Sequence, residues 1–400
     1  MKITPNDLNS WASELVARSE LPVLLRRLVH GRSVALSNVE FPAYESTNDG
    51  GWDGQVDANG IDPWIPQGRS FWELSCRATT KLAAKASEDI EKRTDGADEA
   101  VRLASTFVFA TPRRWPGKSV WLKAERAKGR WGDVRVYDAD TLSEWIEQAP
   151  AAQAFMLGQL GRPVSAVTSL EQFWTEWSGV TKPRLPPAVF DEAFTENRTQ
   201  IDRFLANSAP NPLTVTGETR LEAAAFAACA LLHFDLPAEA RNRSIILKSA
   251  VGVQLIRTHP ERLILIVATP EAEGALGDLA YNHHVIIPGD RTGADKNPGP
   301  SIEPLKWDAF RRVAEAMELD KDATDRLERD SGRRVALMRR QLSIVPQIRQ
   351  PVWTSNDAAA NALITLAFAG GWNFKTEGDR TLLAALGDTS TEEIEASISM

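Results

Sequence analysis

Gly51-Trp52-Asp53-Gly54-Gln55-Val56 and, beyond a turn-rich interval, Ser70-Phe71-Trp72-Glu73-Leu74-Ser75-Cys76 read as two strands that carry one carboxylate each. The turn signal Asn48-Asp49-Gly50-Gly51 stands before the first of them. Residues 79–93 then read as a helix with Lys81 and Lys85 four apart on one face. Upstream, the apolar positions Leu8, Trp11, Leu15, Leu21, Leu24, Leu25 and Leu28 fit one or two amphipathic helices, with Pro22 opening the second, and 34–41 is a short strand. Downstream, Thr-Phe-Val-Phe-Ala-Thr at 106–111 is a buried strand, 134–137 another strand and 139–148 a helix. Strands and helices in this order predict an α/β fold around a mixed sheet.

Holding Mg²⁺ against a phosphate takes hard oxygen ligands, and activating the attacking water takes a cation beside them. Asp53 and Glu73 supply the first and a lysine of 79–93 the second. Residues 54–72 are long enough for strand, turn and strand to return both carboxylates to one rim of the sheet. Gly51 and Gly54 leave the backbone free to bend and leave room beside Asp53 for a phosphate. Glu73, between Trp72 and Leu74, points away from both. Each residue also has a plain reading, as a turn aspartate, a solvated strand glutamate and an exposed lysine face.

These residues resemble the PD-(D/E)xK nucleases, the restriction-endonuclease-like fold of a mixed sheet flanked by helices. In that superfamily a first acid precedes a second, which is followed two residues later by lysine. Ser75 stands at the lysine position here. The superfamily is known to draw its lysine from a neighbouring helix instead, and Lys85 is the favoured candidate, with Lys81 in reserve. The run from Lys85-Ala86 through Lys92-Arg93-Thr94 resembles the segment after this strand in bacterial defence nucleases. The resemblance implies an endodeoxyribonuclease that cuts double-stranded DNA with Mg²⁺ or Mn²⁺. Asp53 and Glu73 become the metal ligands, Lys85 the water-positioning cation, Ser75 and Lys81 supporting groups, and Glu14 or Glu20 of the N-terminal helix a further contributor to the metal shell.

With 43% hydrophobic and 25% charged residues the chain is neither disordered nor fibrous, and 400 residues exceed one comfortable core. No apolar run approaches the roughly 18 residues of a membrane span, and the first residues lack the apolar core of a secretory signal, so a cytoplasmic protein is expected. Cys76 and Cys229 are too far apart in sequence to suggest a metal cluster or a disulfide framework. The net charge of -8 conceals a basic segment. Arg113, Arg114, Lys118, Lys123, Arg126, Lys128, Arg130 and Arg135 there face only Glu125 and Asp133, and they interleave with Trp115, Trp121 and Trp131. Two readings stand side by side: cations on DNA phosphates with indoles against bases, or indoles in the core beneath arginine and lysine stems. On the first reading Arg113, Arg114, Lys118, Lys123, Lys128 and Arg130 bind DNA.

Pro163, Pro183, Pro186 and Pro187 mark a junction, giving a first domain over 1–162 and a linker over 163–189. In 190–300 a helix at 190–206, a strand at 212–217, an Ala-rich helix at 220–233 and strands at 244–247, 263–268 and 285–288 predict a doubly wound parallel sheet. Gly217 ends the first strand as a phosphate-binding glycine would, with Thr219 and Arg220 next to it. Counted from Gly217, however, the Walker positions for glycine, lysine and Ser/Thr fall on Glu222, Ala223 and Ala224. This layout, followed by a helical region over 301–350 that contains Asp330-Ser331-Gly332-Arg333-Arg334-Val335, resembles the STAND NTPases. That resemblance implies a degenerate ATP site at Gly217, Thr219 and Arg220, a homo-oligomer formed on activation, a phage-derived or other trigger, and anti-phage defence. Residues 351–400 read as the start of a winged-helix-like or helical unit.

Overall fold

Residues 105–110 are buried along their whole length, an environment that only the interior of a sheet covered on both faces provides. The computed structural model describes residues 2–43, 51–162, 164–208, 211–291, 299–350, 361, 363–367, 373 and 376–398. Its first part runs α1 (Pro5–Trp11), α2 (Ala17–His30), β1 (Ala35–Glu40), β2 (Gly54–Asn59), β3 (Gly68–Leu74), α3 (Leu82–Gly96), α4 (Glu99–Leu103), β4 (Ser105–Ala110), α5 (Lys118–Ala127), β5 (Asp133–Tyr137), α6 (Ala139–Glu147) and α7 (Pro150–Gln159). The five strands lie in the order β1-β2-β3-β4-β5, antiparallel as far as β3 and parallel from β3 to β5. The turn signal at 48–50 lies outside the described residues.

Strand alternation sorts the two faces. Val56, Trp72, Val108, Ala110 and Tyr137 pack with residues of α1, α2, α6 and α7, where Trp72 stacks on Tyr137 at 5.4 Å and Trp64 on Trp145 at 5.7 Å. Phe71, Phe107, Phe109, Val134 and Val136 pack on the other face with Leu82, Ala86 and Ile90 of α3 and with Trp115 and Trp131. Leu82, Ala86, Asp89 and Ile90 are the buried stripe of α3, at the helical spacing that seats it there.

A second sheet follows from β6 (Val167–Thr168), α8 (Leu170–Gly179), α9 (Asp191–Ala206), β7 (Leu213–Gly217), α10 (Arg220–His233), α11 (Ala238–Asn242), β8 (Ser244–Leu247), α12 (Ala250–Ile256), β9 (Ile264–Val267), α13 (Pro270–Gly274), α14 (Leu279–Asn282) and β10 (His284–Asp290). Its order is β6-β8-β9-β10-β7. Four strands are parallel, and β6 joins β8 antiparallel, so the sheet is mixed rather than purely parallel. The α/β class read from the sequence therefore holds for both sheets.

The chain divides into two compact units, one of residues 1–175 and 190–303, the other of 176–189 and 304–400. Both sheets fall in the first, so the expected boundary at 162 does not separate them, and the expected linker carries β6 and all of α8. The second unit holds α15 (Trp307–Ala316), α16 (Lys321–Ser331), α17 (Val335–Leu342), α18 (Pro346–Arg349), α19 (Glu377–Gly387) and α20 (Thr391–Ile398). In it Arg339 lies over the Trp177 ring at 5.2 Å and donates to the Trp177 carbonyl at 2.9 Å. Of the unit expected over 351–400, residues 361, 363–367, 373 and 376–398 are described, and α19 and α20 there are helical. No helix among the described residues is long and apolar enough to cross a membrane.

Charge ties the two sheets' helices together. Arg27 of α2 is fully buried, lies over the Phe155 ring at 4.9 Å and pairs with Glu171 of α8, which Arg241 of α11 reaches at 3.3 Å. Burial pushes the Glu171 carboxyl up, but Arg27 and Arg241 outweigh it and hold the group below its ordinary range. Removing one member leaves a buried charge uncompensated. Glu171→Ala is expected to lower unfolding stability by about 3 kcal/mol, read by urea denaturation.

Candidate active site

The pairing of Gly54 with Trp72 across β2 and β3 brings Asp53, one residue earlier, alongside Glu73, one residue later. Asp53 is half-buried, and its Oδ2 accepts the Leu74 N–H at 2.8 Å, which fixes the carboxylate at the end of the strand pair. Glu73 is 5% exposed on the α3 side of the sheet, opposite to Trp72 and Leu74 as strand alternation requires. Gly54 is glycine for a packing reason: a Cβ there would meet Phe41 Cδ1 at 2.3 Å. The space expected beside it for a phosphate is therefore filled by the Phe41 ring, whereas at Gly51, at φ 143°, a Cβ would meet nothing within 4 Å among the described residues.

The helix contributes more than the expected lysine. Lys85, Asp89 and Arg93 recur every four residues along one stripe of α3. Lys85 pairs with Asp89, and Arg93 pairs through Nε with Glu73 and through Nη2 with the Gly51 carbonyl. The Arg93 guanidinium also lies over the Trp52 ring at 4.6 Å, and Trp52 stacks on Phe71 at 4.6 Å. Asp89 is 4% exposed, and its Oδ2 is buried without a hydrogen-bond partner.

The carboxylates feel one another. Burial, reinforced by the charge of Asp53 and opposed by Arg93, pushes the Glu73 carboxyl up to about 8. Burial likewise raises Asp89, with Lys85 opposing and Asp53 adding. Asp53, Glu73, Asp89, Lys85 and Arg93 thus form one cluster, in which two acids expected from the sequence and the favoured lysine meet two residues to which the sequence reading gave no role. The signal for those two was the four-residue spacing from Lys85.

Other expected site residues lie elsewhere. Ser75 is buried, its Oγ accepting the Arg77 N–H at 3.2 Å, and Lys81 is exposed just ahead of α3. Glu14 is an exposed residue of the turn between α1 and α2. Glu20 sits with Glu171, Arg27 and Arg241, and burial raises its carboxyl.

The basic segment resolves toward its structural reading. Trp115 and Trp131 are 4% and 5% exposed in the core beneath α3 and α5, and Trp121 packs against them. Arg113 is spent on backbone: it donates to the carbonyls of Cys76, Asn9 and Ala12 at 3.2, 2.8 and 2.9 Å. Lys118 pairs with Asp138, Arg114 with Asp140 at 3.5 Å, Lys128 with Glu125 at 2.7 Å and Arg130 with Glu91 at 2.6 Å. Of the six residues expected to bind DNA, Arg114, Lys123 and Lys128 stay exposed, Arg114 and Lys128 within reach of a carboxylate.

The glycine loop of the second sheet is closed by its own acid. Thr219 caps α10 by accepting the Glu222 N–H at 3.1 Å, and Glu222 Oε2 accepts the Glu218 N–H at 2.6 Å. A Cβ on Gly217 would meet that same oxygen at 2.8 Å. A buried carboxylate thus stands where a phosphate would seek amides, and Arg220 pairs with Glu273 at 2.6 Å. The nucleotide role expected of Gly217, Thr219 and Arg220 is physically displaced, because anion would meet anion.

Compared with known protein families the sequence matches none, and no curated protein is significantly similar to it.

Two outcomes are expected from this geometry. Calorimetric titration with ATP·Mg²⁺ should give no binding heat, since Glu222 holds the loop. For Glu73, the folded value of about 8 against an ordinary 4.5 means that the native state keeps a proton the unfolded chain has already lost. Its contribution to stability is complete below the unfolded value and is lost as pH rises through the folded one. Glu73→Gln is therefore expected to gain stability over the unsubstituted protein by about 3 kcal/mol between roughly pH 5 and 9, measured by denaturant unfolding at each pH.

Proposed function

We propose that this chain is a metal-dependent endonuclease that hydrolyses phosphodiester bonds of double-stranded DNA. The observation that supports it best is the meeting of Asp53 and Glu73 across β2 and β3, beneath a helix stripe that presents Lys85. Desolvated, mutually repelling carboxylates beside cations are the arrangement in which perturbed protonation marks a functional site. The sequence resemblance to PD-(D/E)xK nucleases points the same way.

Asp53 and Glu73 are the hard oxygen donors suited to Mg²⁺ or Mn²⁺, with the unpartnered Asp89 Oδ2 as a further oxygen at the cluster. Such an ion, when bound, lowers the pKa of a water and polarises the scissile phosphate. Lys85 orients that water and balances charge that develops on the phosphate. Asp89 holds the Lys85 amine in place, and the Leu74 N–H keeps Asp53 turned to the rim. Contact with the DNA backbone falls to the exposed cations Arg77, Lys81, Arg114, Lys123 and Lys128.

In the same reading the second sheet and the helical unit regulate cutting in the cytoplasm through homo-oligomerisation on a phage-derived or other trigger, as the layout resemblance to STAND proteins suggests. The Glu222 closure makes that control independent of ATP. A second reading, a non-catalytic DNA-binding or scaffold protein, is favoured by one observation: among the described residues no three His, Cys, Asp or Glu side chains are placed to hold a metal.

Plasmid DNA incubated with the protein and Mg²⁺ or Mn²⁺ separates the two. Nicking or linearisation that falls by about 100-fold or more in Asp53→Ala and Lys85→Ala is the expected result. Binding of the plasmid without cleavage, unchanged by either substitution, would establish the scaffold reading instead.

A further inference from the structure

We infer that Arg93 is a positioning residue that occupies Glu73 until a phosphodiester draws it away, so that cation and phosphate binding at this cluster are coupled. The inference rests on the reading of Asp53 and Glu73 as metal ligands. Among the described residues no three His, Cys, Asp or Glu side chains are placed to hold a metal, and of the carboxylates in this cluster Glu73 is held by an arginine.

The geometry suits an exchange. Arg93 gives Nε to Glu73 and Nη2 to the Gly51 carbonyl, and no acceptor among the described residues takes Nη1. Its side chain is 17% exposed, against 6% for Glu73, so the guanidinium forms the outer wall of the cluster and the carboxylate the inner one. The contact with the Trp52 ring, 4.6 Å from its centroid, does not depend on Glu73. The guanidinium can therefore turn from carboxylate to phosphate without losing its aromatic seat, and its planar fork matches either anion. Lys85 is not equivalent, because its partner Asp89 lies on its own helix one turn away. Gly51, whose φ of 143° suits glycine and whose Cβ position meets nothing within 4 Å among the described residues, supplies the carbonyl that Arg93 holds.

Linkage sets the consequence. A cation can take Glu73 fully only when the guanidinium leaves, and a phosphate that engages Arg93 frees Glu73. Each ligand must then raise the other's affinity by the same factor. Cutting is thereby restricted to encounters in which DNA and metal are both present, and the protein alone binds metal weakly.

The test uses the full chain, Mn²⁺ and dimethyl phosphate, a phosphodiester with no base. By calorimetry, dimethyl phosphate is expected to tighten Mn²⁺ binding about tenfold in the unsubstituted protein. Arg93→Gln is expected to bind Mn²⁺ about tenfold more tightly without phosphate, and to gain less than about twofold from it. Lys92→Gln removes the same charge from the neighbouring exposed position and is expected to keep the phosphate effect. If Lys92→Gln loses the effect as Arg93→Gln does, the coupling is a matter of overall charge and the inference falls. If Asp53→Asn abolishes Mn²⁺ binding while Arg93→Gln behaves as the unsubstituted protein, the metal reading stands and the role of Arg93 does not. Absence of Mn²⁺ binding in both the unsubstituted protein and Arg93→Gln overturns both. Should Arg93→Gln not fold, Arg93→Lys carries the test: it keeps a cation over Trp52 but loses the fork, so a reduced phosphate effect is expected and an unchanged one refutes the inference.

Discussion

A carboxylate taken out of water next to another carboxylate is the constraint around which the first sheet is arranged. Glu73 must lie on the α3 face because Trp72 and Leu74 are needed on the other, and β3 offers no third direction. Burying that charge costs free energy unless a cation accompanies it. The accompaniment is Arg93, and placing Arg93 requires α3 to run along the sheet with its Leu82, Ala86 and Ile90 stripe inward. Trp52 completes the arrangement by stacking between Phe71 and the guanidinium, and so anchors the residue that precedes Asp53. Core packing and site geometry are one problem here.

Two buried glutamates, Glu73 and Glu222, and the half-buried Glu171 show how differently one side chain can be used. Glu171 has two arginines, Arg27 and Arg241, and stays ionised below its ordinary range: a structural tie between helices of the two sheets. Glu222 is satisfied by a backbone N–H at the start of α10 and closes a loop that otherwise attracts anions. Glu73, unlike Glu171, is driven upward, because burial, reinforced by Asp53, outweighs the single arginine that supports it. An environment that opposes the charge of a group it nevertheless holds in place is a better guide to chemistry than burial or pairing by itself.

Much of this was legible in the sequence. Period-two alternation around Glu73 and the unbroken apolar run at 107–110 gave the right strands and the right side for the acid, and the helix read over 79–93 is the one that carries Lys85, although Lys81 falls ahead of it and off the stripe of Lys85, Asp89 and Arg93. What could not be read was pairing. Nothing in the order of residues distinguishes an arginine on DNA from Arg113 spent on three carbonyls, or from Lys118 closing on Asp138 more than a strand away. The basic segment looked unpaired because its partners Glu91, Asp138 and Asp140 sit largely outside it. The room assigned to Gly54 was likewise invisible as occupied, since Phe41 reaches it from another strand end. Covalently local rules carried over; long-range charge matching and ring packing did not.

Charge balance connects the site to its proposed substrate. Fully ionised, Asp53, Glu73 and Asp89 against Lys85 and Arg93 leave one negative charge, and the raised Glu73 shows the cluster relieving it with a proton near neutrality. A monovalent cation would only replace that proton. A divalent one reverses the sign to one positive charge, which is the complement of a single phosphodiester and no more. At low dielectric such a match matters more than the count of contacts, because each uncompensated charge in a dry site costs several kcal/mol. Phosphate without metal meets a neutral or negative cluster, and metal without phosphate must displace Arg93 into a site then left positive. The arrangement that satisfies every group at once holds both ligands together, and the resting ion pairs of α3 are what the chain keeps in their stead.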